Sequence, residues 1–362
     1  MDEILFKNIS IILTIVSIIL GMLLLSEGIF KNRVYKSFEW KLTILFTILY
    51  SVYFAFRPVL KYSDTSVYIY KYINNMNSLD EVLNAPKDFF FFLYSYFTKL
   101  LVDNENAYLF FIAITYIAPL LLVIKKINIK HPFIIFALFT LSFSFENLGG
   151  NIIRQGIGIN IFLLGLIFYN DNKLKAYLLF LLSMLFHISV LIPIGIFFLA
   201  TKLKNKYFYL AIYLICSVIS ILNINVISFI ESIPYVSELF ADRNQNYSDV
   251  VGNYKVGFRL DFFLFNSLFL LMFWVTSTKF KFSTTIEKEQ YERYLFIYMS
   301  LSAFFFLMFT QSFSDRYGVL SWQMIPILFL PYVKYFKSKI WILNIGALFL
   351  IYSIISLIFK LK

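Results

Sequence analysis

Charge is scarce in this chain. Only 15% of its 362 residues are Asp, Glu, Lys or Arg, against roughly a quarter in soluble globular domains. Histidine occurs twice, as His131 and His187. A single cysteine, Cys216, lies in an apolar run, which excludes an intrachain disulfide framework. No histidine pair and no Cys–His cluster has metal-ligand spacing. No glycine-rich phosphate loop appears, which argues against nucleotide hydrolysis. No serine nucleophile elbow is present. Internal repeats, low-complexity tracts and a separate soluble domain are missing too. Neither a cofactor nor a metal is expected.

What is plentiful is apolar. Hydrophobic residues make up 60% of the chain and aromatics 21%, with a mean hydropathy of +0.76. Apolar runs recur from end to end, which predicts an all-α polytopic membrane protein, one integral domain over residues 1–362. The net charge of +11 would suit a nucleic-acid binder. Cytoplasmic loops of membrane proteins also collect Lys and Arg, so nucleic acid is not an expected partner. Asp2 and Glu3 spoil the basic start of a signal peptide, and Ser26-Glu27-Gly28 is a poor cleavage site. Residues 9–25 therefore read as an uncleaved first span.

Further apolar runs cover 42–56, 108–124, 133–145, 152–168, 176–200, 207–222, 261–275, 295–309, 317–333 and 340–359. They predict about ten transmembrane helices, several extending into their flanks to reach the roughly 20 residues of a full span. Residues 89–101 are apolar and aromatic but short, and read as a re-entrant or interfacial segment.

Loop charges set the orientation. Lys31, Arg33, Lys36 and Lys41 place the first loop inside and the N-terminus outside. Lys125, Lys126 and Lys130, then Lys173 and Lys175, then Lys202, Lys204 and Lys206 ask to be inside as well. Residues 176–200 separate the last two clusters, enough for one crossing, which would throw a basic cluster outside. A re-entrant hairpin with its apex near 187–193 keeps both inside. Irregular backbone at that depth needs protein or a cavity around it. Two sizeable external loops follow, 57–107 and 223–259.

Arginine departs from lysine. Arg57, Arg154, Arg243, Arg259 and Arg316 fall at the outer face on this topology. Arg154, Arg259 and Arg316 start helices running inward, where the unpaired N–H groups already carry partial positive charge. A cation at a helix start suits an anion, phosphate above all. Gly149-Gly150 ahead of Arg154 would let a ligand approach the backbone. The competing reading of any one arginine is snorkelling to headgroups. His131, beside Pro132 at a turn, reads as a surface residue, whereas His187 lies at the hairpin apex as a candidate proton acceptor. Asp64 is the other candidate base, and Glu146 a weaker acid candidate.

Asn151-Ile152-Ile153-Arg154-Gln155, the basic turn at Lys173–Lys175 and Phe186-His187-Ile188-Ser189 resemble, in order and spacing, the EpsG-like, Wzy-type polymerases of O-antigen and exopolysaccharide. Ser63-Asp64 followed by Tyr68 and Tyr72, and the late Asp315-Arg316-Tyr317, support the likeness. Gly156 and Gly158 depart from it, standing where alanine and a bulkier residue would be expected. The resemblance implies a multi-pass protein of the bacterial cytoplasmic membrane with its active site facing outside. It would join undecaprenyl-pyrophosphate-linked repeat units, donor to acceptor, beside a flippase and a chain-length regulator. Arg154, Arg259 and Arg316 would hold the pyrophosphate, with Arg243 and Arg57 in support. Gln155 would orient a phosphate or hydroxyl, and His187 or Asp64 would be the base. Tyr68, Tyr72 and Tyr317 would contact sugars. The alternatives are a flippase of the same lipid-linked units and a single-sugar transferase using a lipid-phosphate donor.

The orientation is testable by impermeant labelling of single cysteines. A cysteine at position 204 should be protected in intact cells and one at 248 should react. Labelling at 204 would overturn the hairpin and the placement of the arginines.

Overall fold

The computed structural model describes residues 2–30, 35–59, 63–74, 77–84, 88–127, 129–226, 228, 256–334 and 339–361, and its elements are all helical. Arg243 and the rest of 229–255 lie outside the described residues. The chain divides into two compact units, Met1–Ile194 with Phe329–Lys362, and Gly195–Leu328.

The first unit opens with α1 (Glu3–Phe30), α2 (Lys36–Ala55), α3 (Ser63–Asn74), α4 (Leu79–Leu83) and α5 (Phe89–Leu101). It continues with α6 (Glu105–Ile127), α7 (Pro132–Thr140), α8 (Ser144–Gly150), α9 (Ile153–Phe168) and α10 (Lys173–Phe186). A 3-10 turn, Ile188–Val190, leads into α11 (Leu191–Lys202). The second unit holds α12 (Lys206–Ile221), α13 (Leu260–Lys279), α14 (Thr285–Leu307), α15 (Asp315–Trp322) and α16 (Ile325–Leu328). The chain then rejoins the first unit as α17 (Leu330–Lys334) and α18 (Lys339–Leu361).

Among the described residues five helices, α1, α2, α6, α13 and α14, are long and apolar enough to cross a membrane. The pair α7 and α8, bent by 77° at its break, makes a sixth if it is one span. This is a membrane protein of helical build. The ten crossings read from the sequence are not reached on length and apolarity, because several of those runs fold as shorter apolar helices, among them 153–168 and 206–221.

Helices in lipid gain little from burying oil against oil, so close contact has to hold them. The first unit packs around α9, buried from Gln155 to Ile167. Gly156 and Gly158 explain how. A Cβ at 156 would sit 2.4 Å from the Leu148 carbonyl oxygen and 3.0 Å from the Tyr116 ring. A Cβ at 158 would sit 2.8 Å from Val190 and 3.0 Å from the Ser183 carbonyl oxygen. One glycine seats α9 against α8 and α6, the other against the end of α10. Pro119 interrupts the hydrogen bonding of α6, and nearby the Asn160 side chain donates to the Tyr116 carbonyl at 2.8 Å, tying α6 to α9.

A buried Glu–His contact and a partly buried Glu–Lys ion pair mark opposite ends of α2, a helix roughly 30 Å long at 1.5 Å per residue. Near its start, His131 Nδ1 lies 2.7 Å from Glu39 Oε1, each side chain 1% exposed. The other Glu39 oxygen accepts from the Phe133 N–H at 3.3 Å, at the start of α7. His131 is thus buried, contrary to its reading as a surface residue: the proline beside it does mark a turn, but the turn is covered by α2. Toward the other end, Glu146 accepts from Ser10 Oγ and from the Tyr53 hydroxyl. Lys360 completes this pair at 3.0 Å from Glu146 Oε1, and also reaches Thr14.

Within the second unit, Asn266 on α13 is buried and accepts from Ser302 at 3.0 Å and Ser321 at 3.2 Å. The Tyr298 hydroxyl donates to the Asn266 carbonyl at 2.9 Å. These bonds join α13, α14 and α15 without a charge.

Gly156→Ala should lower the stability of the purified protein by about 1–3 kcal/mol, the usual range for overpacking. The check is its thermal unfolding midpoint in detergent. An unchanged midpoint would show that α8 and α9 do not pack at this distance.

Candidate active site

Asp88 immediately precedes the aromatic start of α5, where an aspartate would ordinarily cap the helix with its carboxylate. It does not. The residue takes φ 57 and ψ 40, in the left-handed region, and its side chain makes no capping bond. Aspartate is among the few side chains that enter this region with some frequency. The Asp88 carbonyl receives the N–H groups of Phe91 and Phe92 instead, at 3.0 and 3.4 Å. That releases the carboxylate to point elsewhere.

It points at the two residues singled out in the sequence. Arg154 Nη1 donates to Asp88 Oδ2 at 2.6 Å. His187 Nδ1 lies 3.1 Å from Oδ2 and 3.2 Å from Oδ1. The Ile188 N–H donates to Oδ1 at 3.3 Å. The Asp88 side chain is 4% exposed, so its charge is removed from water and compensated at each oxygen. Burial pushes its pKa up, and the hydrogen bond and charge of His187, the charge of Arg154 and the Ile188 N–H together hold it below the usual carboxylate value.

Arg154 occupies the first turn of α9. Its Nε donates to the Tyr68 hydroxyl at 3.2 Å, and its guanidinium lies 5.2 Å from the centre of that ring. Asp64 is near enough to act on it electrostatically. A guanidinium has five N–H donors. Two are engaged here, which leaves the rest of the fork on a side chain 27% exposed.

His187 ends α10 in an extended conformation, its N–H bonded to the Ser183 carbonyl at 3.2 Å. A helix break falls at this residue, the first of the 187–193 stretch read from the sequence as a hairpin apex. Nδ1 faces the carboxylate as a donor, and in the neutral form of the imidazole Nε2 is then the acceptor, on a side chain 24% exposed. A carboxylate, an imidazole oriented by it and an open guanidinium meet at one point. Such a set can take a proton and hold an anion.

The other residues read from the sequence are placed differently. Arg57 is buried and donates to the Gly149 carbonyl at 3.0 Å, and Thr65 donates to the carbonyl of Gly150. Both tie α8 to the segment after α2. Gln155 is buried. Tyr72 is buried with its ring stacked on Tyr108 at 3.9 Å. Arg259 immediately precedes α13 as its N-cap residue and Arg316 lies in the first turn of α15; both belong to the second unit. Arg259 makes a two-pronged bond to Asp261 at 3.1 and 3.0 Å, and Arg316 lies 5.2 Å over the Phe313 ring. Tyr317 packs edge-on to Phe304. Asp88 was not singled out in the sequence. Its only signal is a lone acid one residue before Phe89-Phe90-Phe91-Phe92, which looks like an ordinary helix cap.

The EpsG family matches residues 40–362, a stretch that includes Asp88, Arg154 and His187. No curated protein and no solved structure matches the chain.

The depressed pKa of Asp88 makes a signed prediction. The stability that its ionised form contributes is complete above the ordinary carboxylate value of 3.8 and is lost as pH falls below it, through the depressed folded value. The stability gap between the native protein and Asp88→Asn should therefore be constant at neutral pH and shrink on acidification below about pH 4. Denaturation midpoints of the two proteins across that range check it. A gap that widens on acidification would contradict the ion-pair geometry.

Proposed function

Because the chain belongs to the EpsG family of Wzy-like polysaccharide polymerases, we propose that it joins undecaprenyl-pyrophosphate-linked oligosaccharide units at the outer face of a bacterial cytoplasmic membrane. The observation that carries the reading is the convergence of Arg154 and His187 on Asp88. About ten crossings and two external loops complete the proposed topology. A flippase delivering the units and a chain-length regulator are the partners that fit such a reaction.

In the reaction, Arg154 binds the diphosphate that links the donor glycan to its lipid. The guanidinium fork matches phosphate oxygens and offsets the charge that builds as the leaving group departs. A hydroxyl on the acceptor's non-reducing sugar attacks the donor's anomeric carbon. The bond from that carbon to the phosphate oxygen breaks, and its electron pair leaves with the lipid diphosphate. The hydroxyl proton passes to His187 Nε2. The Asp88 carboxylate at Nδ1 keeps the imidazole in the required tautomer and steadies the imidazolium that forms. A second turnover begins when His187 returns the proton to water or to the departing diphosphate. Asp64, close to Arg154, is the second candidate for the base, and Tyr68 the sugar-contacting residue nearest the guanidinium.

A flippase of the same lipid-linked units shares the anion site but has no use for an oriented proton acceptor. The Asp88–His187 contact favours the transferase.

Arg154→Ala should abolish long glycan chains in cells while single repeat units persist on lipid. His187→Ala should slow elongation in vitro by about 10²–10⁴-fold, the range for loss of a general base. Normal chain lengths in the Arg154 variant would sink the assignment, and loss of outer-leaflet delivery would point to the flippase.

A further inference from the structure

Beside this site stands a cation that forms no ion pair among the described residues. Lys71 follows Tyr68 by three residues on α3, so the two share a helix face one turn apart. Tyr68 carries Arg154 on one side and packs against Phe91, ring centres 5.3 Å apart. The Lys71 ammonium lies 5.2 Å over the Phe92 ring. Phe91 and Phe92 belong to the first turn of α5, directly after Asp88. Arg154 and Lys71 therefore come to the same helix start from α9 and α3.

Asp88 and Asp64 both act on Arg154, and neither pairs with Lys71 among the described residues. Lys71 has no carboxylate or hydrogen-bond partner among the described residues, its one close contact being the Phe92 ring. The carboxylate of Asp88 is committed to Arg154, His187 and Ile188. The start of α5 adds its own partial positive charge. Burial first, and the charge of Arg154 second, lower the Lys71 pKa, and the more distant pull of Asp88 does not reverse that. Two cations held close enough to repel, over a helix start, are stabilised when a multiply charged anion sits between them.

We propose that Lys71 is the second cation of the diphosphate site, Arg154 holding one phosphate group and Lys71 the other. This rests on the assignment of Arg154 made above. It supplies a second charge from within the first unit, where a diphosphate needs more than one guanidinium to offset it.

The test uses the full-length protein in phosphatidylcholine nanodiscs, with inorganic pyrophosphate as the probe and calorimetry as the readout. Lys71→Gln should weaken pyrophosphate binding about tenfold, as loss of one charged hydrogen bond does. Lys71→Arg should restore it, which also shows that the position tolerates change without unfolding. Arg154→Gln should weaken binding at least as much. If Lys71→Gln binds like the native protein while Arg154→Gln does not, Lys71 is excluded and the Arg154 assignment stands. If neither variant changes binding, the Arg154 assignment itself fails. The same variants in nanodiscs containing phosphatidylglycerol separate the two sources of phosphate. A Lys71→Gln effect confined to stabilisation by that lipid would make Lys71 a headgroup anchor and overturn the proposal.

Discussion

One carboxylate fixes three distant segments to one another. Arg154 at the start of α9 and His187 at the end of α10 meet at the carboxylate of Asp88, before α5, which accepts from both and from the Ile188 N–H. Removing a carboxylate from water costs several kcal/mol unless its oxygens are compensated, and the left-handed backbone adds its own cost. The three donors offset both. The same bonds that hold the charge in place aim the imidazole and the guanidinium. On the proposed mechanism, stability and chemistry at this point draw on one set of contacts.

The supporting frame works at short range. α9 approaches α8 and the end of α10 through glycines, which brings Arg154 and His187 to the same side of the bundle. The residues that depart from the family's expected pattern, Gly156 and Gly158, are those that permit this approach. Away from the site, the Glu39–His131 and Glu146–Lys360 pairs hold opposite ends of α2. Unpaired charge in a bilayer is expensive, so each pair acts as a lock between helices that apolar contact alone would leave free to slide.

Some of this was readable from residues alone and some was not. Arg154 and His187 stood out because polar side chains in apolar runs are conspicuous. The helix starts at Arg154, Arg259 and Arg316 were readable because each arginine stands at the start of an apolar run. Asp88 was hidden by its setting, a loop already rich in polar residues, and by the ordinary use of aspartate as a helix cap. His131 was misread because its partner, Glu39, is 92 residues away, beyond any local pattern. Tyr72 could not be told from Tyr68: both lie on the same short helix, and only packing shows that one ring is stacked in the core. The number of crossings was uncertain for a related reason, since a run of about 15 apolar residues serves equally as a buried helix and as part of a span.

Position 88 passes two independent filters. Its backbone conformation, φ 57, favours glycine, asparagine and aspartate over most other residues. Its partners, a guanidinium and an imidazole, call for a negative charge on a short side chain. Asparagine meets the first requirement and fails the second. Glutamate meets the second and fails the first, since a longer acid in the left-handed region is strained and overshoots. Aspartate satisfies both.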